Sequence, residues 1–295
     1  MMTLGIIGAT GFIGTALKNQ IQKAGTSRLI IPTHTIKTRT EGYTLEALKG
    51  IDVLYYLASA TIPASSWEHP ERELDLNLRP FINTMHAAVD AGVRKLIFVS
   101  SGGTVYGTTT EPVNETAALM PISPYGIFKC SMEYYLNYLN ERFNLPTVVF
   151  RVSNVYGPGQ NIHKGLGIIN TFIERALQHL PVSLFGSGEA ARDFIYIDDV
   201  AHILYKTADK TQQYNVYNLA SGHTYALKEV LHLITKTTGL TFNIEYKPRR
   251  ASDTLRMAFN TARLTEAFPE FKTTAIERGI LNTYTHLQSQ FQQSK

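Results

Sequence analysis

Tyr125-Gly126-Ile127-Phe128-Lys129 sets a phenol and an ammonium four residues apart, neighbours on one face of a helix. A phenol titrates at about 10 and is a poor base at neutral pH; a cation beside it stabilises the phenolate and lowers that value. A tyrosine activated in this way takes the proton of a hydroxyl while hydride leaves the same carbon. Upstream, Gly8-Ala9-Thr10-Gly11-Phe12-Ile13-Gly14 spaces three glycines as G-x-x-G-x-x-G between a short apolar run and an amphipathic stretch. Glycines there let a tight turn close and bring backbone N–H groups to a pyrophosphate, which the helix N-terminus favours electrostatically. Together the two features predict a dinucleotide-dependent redox site.

In many such folds an acidic residue about 20 positions beyond the glycines binds the ribose 2′-hydroxyl. Here the second apolar run ends Ile31-Pro32-Thr33-His34 with no carboxylate, and Lys37 and Arg39 follow. Those cations suit a 2′-phosphate and equally a solvated basic loop, so NAD and NADP both stay open.

These groups need a frame. Apolar runs at 28–31, 53–57, 96–99 and 147–151 read as strands after the first at 3–8, with helix-like stretches at 71–91 and 125–143 between the later ones. Continuous apolar strands alternating with amphipathic helices predict a parallel sheet covered on both faces, a doubly wound α/β, Rossmann-like architecture. Beyond Gly157 the pattern loosens into a glycine-rich loop (157–167), a helix (168–178), a loop holding Phe185 and Gly188, and later helices. The expectation is a dinucleotide-binding domain over 1–157 and a smaller C-terminal substrate-binding domain over 158–295. The chain is expected to return to the main sheet near 193–220, at 193–197 and 216–219.

Composition excludes several classes. With 295 residues, 44% of them hydrophobic, the chain allows about two domains with ample core, against disorder or a fibrous repeat. A net charge of +4, with basic residues spread out apart from Lys247, Arg249 and Arg250, argues against nucleic acid as the main partner and suits an anionic small molecule. The single cysteine, Cys130, excludes an intrachain disulfide framework and a cysteine zinc site and fits a cytosolic setting. At i+1 from Lys129 it reads as an inert packed thiol. His34, His69 and His163 show no ligand spacing, so no metal is expected. No run approaches about 18 apolar residues, and no Lys or Arg precedes Lys18, so neither a membrane span nor a signal peptide is expected. Tyr134, Tyr135 and Tyr138 lie at helical spacing and read as packing or a subunit contact.

An ordered series of motifs runs over almost the whole chain. It comprises the glycine turn, Tyr56-Leu57-Ala58, Asn77, Ser100-Ser101-Gly102-Gly103-Thr104-Val105-Tyr106-Gly107, the pair Tyr125 and Lys129, and Arg151 to Gly159. Phe185-Gly186-Ser187-Gly188, Arg192 to Val200 and Arg249 to Asp253 complete it. In this series the chain resembles the extended short-chain dehydrogenases/reductases, within them the nucleotide-sugar epimerases and dehydratases. The resemblance implies that NAD oxidises a sugar C4 hydroxyl, with Tyr125 as base and Lys129 holding the nicotinamide ribose. It implies cofactor contacts at Gly8, Thr10, Gly11, Phe12, Ile13, Gly14, Leu57, Ala58 and Ser100. The family's usual Ser or Thr four residues before Tyr106 is Gly102 here, which leaves Ser101 or Thr104 to offer a hydroxyl to the sugar O4.

The dehydratases' Asp-Glu pair is replaced by Gly103-Thr104, and the sugar decarboxylases' Glu is also absent. That leaves 4-epimerisation or reduction of a 4-keto sugar. By the same resemblance Asn154 meets the diphosphate, Ser183 and Phe185 pack the nucleobase, and Arg192, Arg250 and Asp253 clamp diphosphate and ribose. A homodimer through 71–91 and 125–143 is implied. The leading expectation is an NAD-dependent UDP-sugar 4-epimerase. The alternative is an NAD(P)H-dependent 4-ketoreductase of surface-polysaccharide biosynthesis, favoured by Lys37, Arg39 and Gly102. A third reading, a non-catalytic cofactor-binding protein, is disfavoured by the intact Tyr125 and Lys129.

Overall fold

The first strand, β1 (Thr3–Ile7), is buried along its whole length, as a strand covered on both faces must be. In the computed structural model, which describes residues 1–109, 111–162, 166–248 and 255–293, α1 (Phe12–Ala24) follows and buries Gly14, Leu17 and Ile21 on one stripe. Next come β2 (Arg28–Ile30), α2 (Ile36–Glu41), α3 (Leu45–Leu48) and β3 (Val53–Tyr56). The expected helix over 71–91 is interrupted: α4 (Glu71–Glu73) passes through a π-helical turn, Leu74–Leu78, into α5 (Arg79–Asp90). The cause is local. Pro80 has no N–H to continue the ladder, and the Arg79 amide reaches back five residues to the Leu74 carbonyl. Then follow β4 (Lys95–Ser101), α6 (Gly102–Val105), α7 (Pro124–Phe143) and β5 (Thr147–Val152).

The later elements are β6 (Asn154–Tyr156), α8 (Ile168–Leu177), β7 (Val182–Phe185), β8 (Ala191–Tyr196), α9 (Ile197–Thr207) and β9 (Val216–Leu219). They continue with β10 (Thr224–Ala226), α10 (Leu227–Thr238), β11 (Ile244–Lys247), β12 (Arg256–Met257), α11 (Ala262–Ala267) and α12 (Ile276–Gln293). Phe185, expected in a loop, ends a strand of only four residues, too short for periodicity to mark.

The chain forms two units, 1–107 with 117–152 and 200–218, and 108–116 with 153–199 and 219–295. The first holds a six-stranded sheet in the order β2-β1-β3-β4-β5-β9, with β1 to β5 paired in parallel. Its core stacks Tyr56, Phe81 and Phe98 between sheet and α5, with ring centroids 5.0 to 6.4 Å apart. Met132, Leu136 and Leu139 press α7 onto the same cluster. The Lys95 ammonium donates to the carbonyls of Thr207, Ala208 and Lys210 at 2.8 to 3.0 Å, a cation placed at the C-terminal end of α9.

In the second unit β8 pairs with β6 and β12 in parallel and with β10 antiparallel, while β7 pairs with β11. The return to the main sheet expected at 193–197 therefore does not occur, whereas the one at 216–219 supplies β9. Hydrogen bonding accounts for this. Asp193, fully buried, accepts from the Ser153 hydroxyl at 2.7 Å and from the amides of Ser221 and Gly222 at 2.9 and 2.8 Å, which anchors β8 in the smaller sheet.

Candidate active site

Parallel register aligns the carboxyl ends of the central strands: Ile7 lies beside Tyr56, and Tyr56 beside Phe98. The strand order reverses between β1 and β3, the point where open α/β sheets bind ligands. The glycine turn leaves β1 there. Gly8 has φ of +90°, and a β-carbon on it would lie 2.8 Å from the Ala58 amide nitrogen, so only glycine lets the two loops meet. The Leu57 amide donates to the Ile7 carbonyl at 2.9 Å, tying the loop after β3 to the same place. Thus Gly8, Thr10, Gly11, Phe12, Ile13, Gly14, Leu57 and Ala58 come together. Helix α1 opens at Gly11 with no side-chain cap and no acidic residue in its first turn, which leaves its N-terminal end suited to an anion. These residues fit a dinucleotide pyrophosphate.

Helix α7 starts where Ser123 caps it, the hydroxyl accepting from the Gly126 amide at 3.1 Å, with Pro124 preset for the first turn. Gly126 lets the helix approach α6: a β-carbon there would stand 2.5 Å from the Thr104 carbonyl oxygen. This contact sets Tyr125 beside the strand-to-helix turn that carries Ser101 and Thr104. One turn on, Lys129 is 6% exposed; its ammonium donates to the Val99 carbonyl at 3.1 Å and stands 5.6 Å from the centre of the Tyr125 ring.

The electrostatics differ from expectation. Burial pushes the Tyr125 hydroxyl up to about 12; the nearby Ser59 hydroxyl pulls it part of the way back and the Glu73 carboxylate pushes it further up. Burial also drives Lys129 down to about 8, against the pull of Glu133 and Glu73. The expected lowering of the phenol by its neighbour is therefore absent from the protein alone. Desolvation in a dry pocket exceeds the effect of one cation whose own charge is disfavoured there.

Other expected residues divide by role. The Ser100 hydroxyl donates to the Glu133 carboxylate, inside a buried network. Glu133 also takes two bonds from Arg151, at 2.9 and 2.7 Å, and Arg151 donates to Tyr106, which donates to Asn218. Thr104 donates to the Ser101 carbonyl at 3.3 Å, while the Ser101 hydroxyl makes no hydrogen bond among the described residues. Lys37, considered for a 2′-phosphate, pairs with Glu41 at 3.5 Å on exposed α2. Cys130 is buried and its thiol pushed up to about 12, chiefly by burial.

In the second unit, Ser183 and Phe185 share one half-buried face of β7, and Asn154 and Arg192 stand on paired strands. The Asn154 side chain donates to the Asp193 carbonyl at 2.9 Å, and Arg192 to the Ala191 carbonyl at 2.9 Å. Arg250, Asp253 and His163 lie outside the described residues. Among the described residues no group of three His, Cys, Asp or Glu is placed to hold a metal ion. Sequence reading missed Ser59, Glu73 and Glu133. Only Glu133 carried a signal, since 125, 129 and 133 repeat every four residues along one helix face.

Residues 4–220 match the family model described as the NAD dependent epimerase/dehydratase family. The chain belongs to this family. Among its relatives, the dTDP-4-dehydro-6-deoxyglucose reductase of Escherichia coli is 31% identical over 62% of this chain and 58% of its own length. Among solved structures, UDP-glucose 4-epimerase of Thermotoga maritima with UDP-glucose is 26% identical, with a TM-score of 0.88 over 98% of this chain and all of that one. UDP-glucose 4-epimerase of Thermus thermophilus complexed with NAD is 26% identical, with a TM-score of 0.86 over 97% of this chain and 99% of that one. The relatives named thus include both a reductase and epimerases, and the epimerase structures share this chain's fold.

Proposed function

We propose that the chain is an NAD-dependent 4-epimerase of a UDP-sugar, working through a transient 4-keto sugar. The observation that carries this reading is Tyr125 and Lys129 on one face of α7, with Tyr125 beside the loop that meets the glycine turn. The glycine turn and the N-terminal end of α1 hold the pyrophosphate, and Lys129 holds the nicotinamide ribose. When bound, the dinucleotide supplies the reversible hydride acceptor for C4.

In its phenolate form Tyr125 takes the proton of O4 as the alcohol is oxidised, and it returns that proton as the ketone is reduced, so protein and cofactor end unchanged. Ser101 orients O4, because its hydroxyl is uncommitted whereas that of Thr104 is engaged. Asn154, Ser183, Phe185, Arg192, Arg250 and Asp253 bind the nucleotide diphosphate. NAD is supported by the NAD bound to the Thermus enzyme. The test is purified protein bearing NAD, offered UDP-glucose, UDP-galactose and their N-acetyl counterparts. Interconversion of either pair without net change in NAD supports the reading, and failure with all four refutes it.

A second reading, a 4-ketoreductase of a nucleotide sugar, is favoured by the 31% identity to the Escherichia coli reductase and by Gly102 in place of the usual hydroxyl. Stoichiometric oxidation of added NADH or NADPH by a 4-keto nucleotide sugar selects it.

A further inference from the structure

Glu133, on the same face of α7 as Tyr125 and Lys129, is 6% exposed and has both carboxylate oxygens committed. One accepts from the Ser100 hydroxyl; the other accepts from Nε and Nη2 of Arg151 at 2.9 and 2.7 Å. Ser100 and Arg151 are register partners on β4 and β5, so one carboxylate ties a helix to two neighbouring strands. The arrangement is itself braced. Arg151 donates to the Tyr106 hydroxyl at 2.9 Å, and Tyr106 donates to Asn218 of β9 at 2.6 Å. A buried ion pair is seldom more stabilising than apolar side chains of the same volume, so stability alone does not account for this one.

The strand end that Glu133 grips is also the one that holds Lys129. The Lys129 ammonium donates at 3.1 Å to the Val99 carbonyl, part of the peptide group that joins Val99 to Ser100. It also lies 4.7 Å from the centre of the Phe98 ring. Phe98 and Ser100, two residues apart on β4, both turn their side chains to α7. The bond from Lys129 to the Val99 carbonyl and the bond from Ser100 to Glu133 are therefore one residue apart on the strand and one turn apart on the helix. Neither shifts without the other. The Ser100 proton is committed to Glu133, so its part in the site is indirect.

We propose that Glu133 is a positioning residue: through the Ser100 hydroxyl it sets the end of β4 so that the Val99 carbonyl fixes the Lys129 ammonium for the nicotinamide ribose. This rests on the reading of Lys129 as the ribose-binding group. An ammonium has three N–H donors. With one of them on the Val99 carbonyl, the direction of the others follows from where that carbonyl stands. A misplacement of about 1 Å in such a site costs on the order of 100-fold in rate.

The test has two arms, hydrogen exchange and turnover, on the full chain with and without NAD. In protein carrying isotope-labelled lysine, the Lys129 ammonium resonance, assigned by its absence from Lys129→Met, reports how fast its hydrogens exchange in mildly acidic solution. Ser100→Ala keeps the Glu133–Arg151 pair and breaks only the link. Exchange is expected to quicken about tenfold, and turnover of the UDP-sugar pair to fall roughly 10- to 100-fold with KM for the sugar little changed. Ser100→Thr keeps the hydroxyl and should restore both. Lys95→Met breaks the clamp at the other end of β4 without touching Glu133 and should leave both at the wild-type level. Glu133→Gln, whose neutral amide holds Ser100 and Arg151 less firmly, serves where Ser100→Ala does not fold. Unchanged exchange in a folded variant overturns the proposal, as do unchanged turnover, an equal loss in Lys95→Met, or unfolding of both variants. Should the wild-type chain convert no UDP-sugar, the proposed function falls, and the exchange arm alone decides whether Glu133 positions Lys129.

Discussion

In the role proposed for it, Lys129 joins function and stability in opposite senses. Its pKa in the fold, about 8, lies below the ordinary 10.5, so between those values the unfolded chain binds more protons than the folded one. Stability must therefore rise with pH across this window, and below about 8 the buried charge exerts its full cost. Lys129→Met removes that cost. The variant should be more stable relative to wild type by about 1–3 kcal/mol at pH 7, less whatever the unpaired Val99 carbonyl takes back, and this advantage should shrink as pH rises to 10.5. Denaturant unfolding at several pH values measures it, and a difference independent of pH would contradict the assignment. The partner residue behaves otherwise. Tyr125→Phe keeps the ring and loses only the proton-carrying oxygen, so turnover should fall by roughly 100- to 10,000-fold while NAD affinity, read by calorimetry, stays near wild type. This pair was legible in the sequence because helical spacing puts i and i+4 together. Its protonation was not, because burial depends on what the rest of the chain packs around it.

Helix α7 is the element that turns spacing into a site. Its start is written locally, in Ser123 and Pro124, and its approach to α6 depends on one missing β-carbon. Gly126→Ala meets the Thr104 carbonyl, a backbone atom that cannot rotate away; about 1–3 kcal/mol of destabilisation and a loss of turnover beyond what that explains are expected, from chemical denaturation and kinetics on the same preparation. Further along, Glu133 and Arg151 lock α7 to β5 as a buried ion pair at 2.7 Å. Arg151→Met strands a dry carboxylate and should cost about 3–5 kcal/mol; adding Glu133→Leu should recover a large part of this, since the second change removes the stranded charge. Additive losses in the double mutant would refute that account. Ends of α1 and α7 could be read from glycine spacing and capping residues. The π-helical turn before α5 could not: Pro80 signals a break in the ladder, but whether a helix ends or bulges at a proline is decided by the packing on either side.

At the scale of the whole chain, apolar runs predict the parallel sheet because central strands must be buried on both faces, but the order β2-β1-β3-β4-β5-β9 is not written in those runs. The place of β8 was not legible, since 193–197 is as apolar as a core strand and only the hydrogen bonds of Asp193 assign it to the smaller sheet. What the fold leaves uncovered points to a second copy. On α7 the side chains of Ile127, Tyr134 and Tyr138 are exposed at spacings of seven and four, one stripe along the helix, and Phe143 extends it. Tyr135 beside this stripe bonds His86 of α5 at 2.5 Å, so the two helices present a joined face. Exposed aromatic and aliphatic residues in such a row are costly in water and characteristic of surfaces that associate. A homodimer through α5 and α7 is the expected state. Sedimentation should give twice the 33.0 kDa chain mass, and Tyr134→Glu with Tyr138→Glu should give the monomer with its secondary structure intact. Because Tyr125 and Lys129 lie on the helix that would carry this interface, the monomer should also lose turnover. A wild-type chain that sediments as a monomer at micromolar concentration would remove the dimer and this coupling with it.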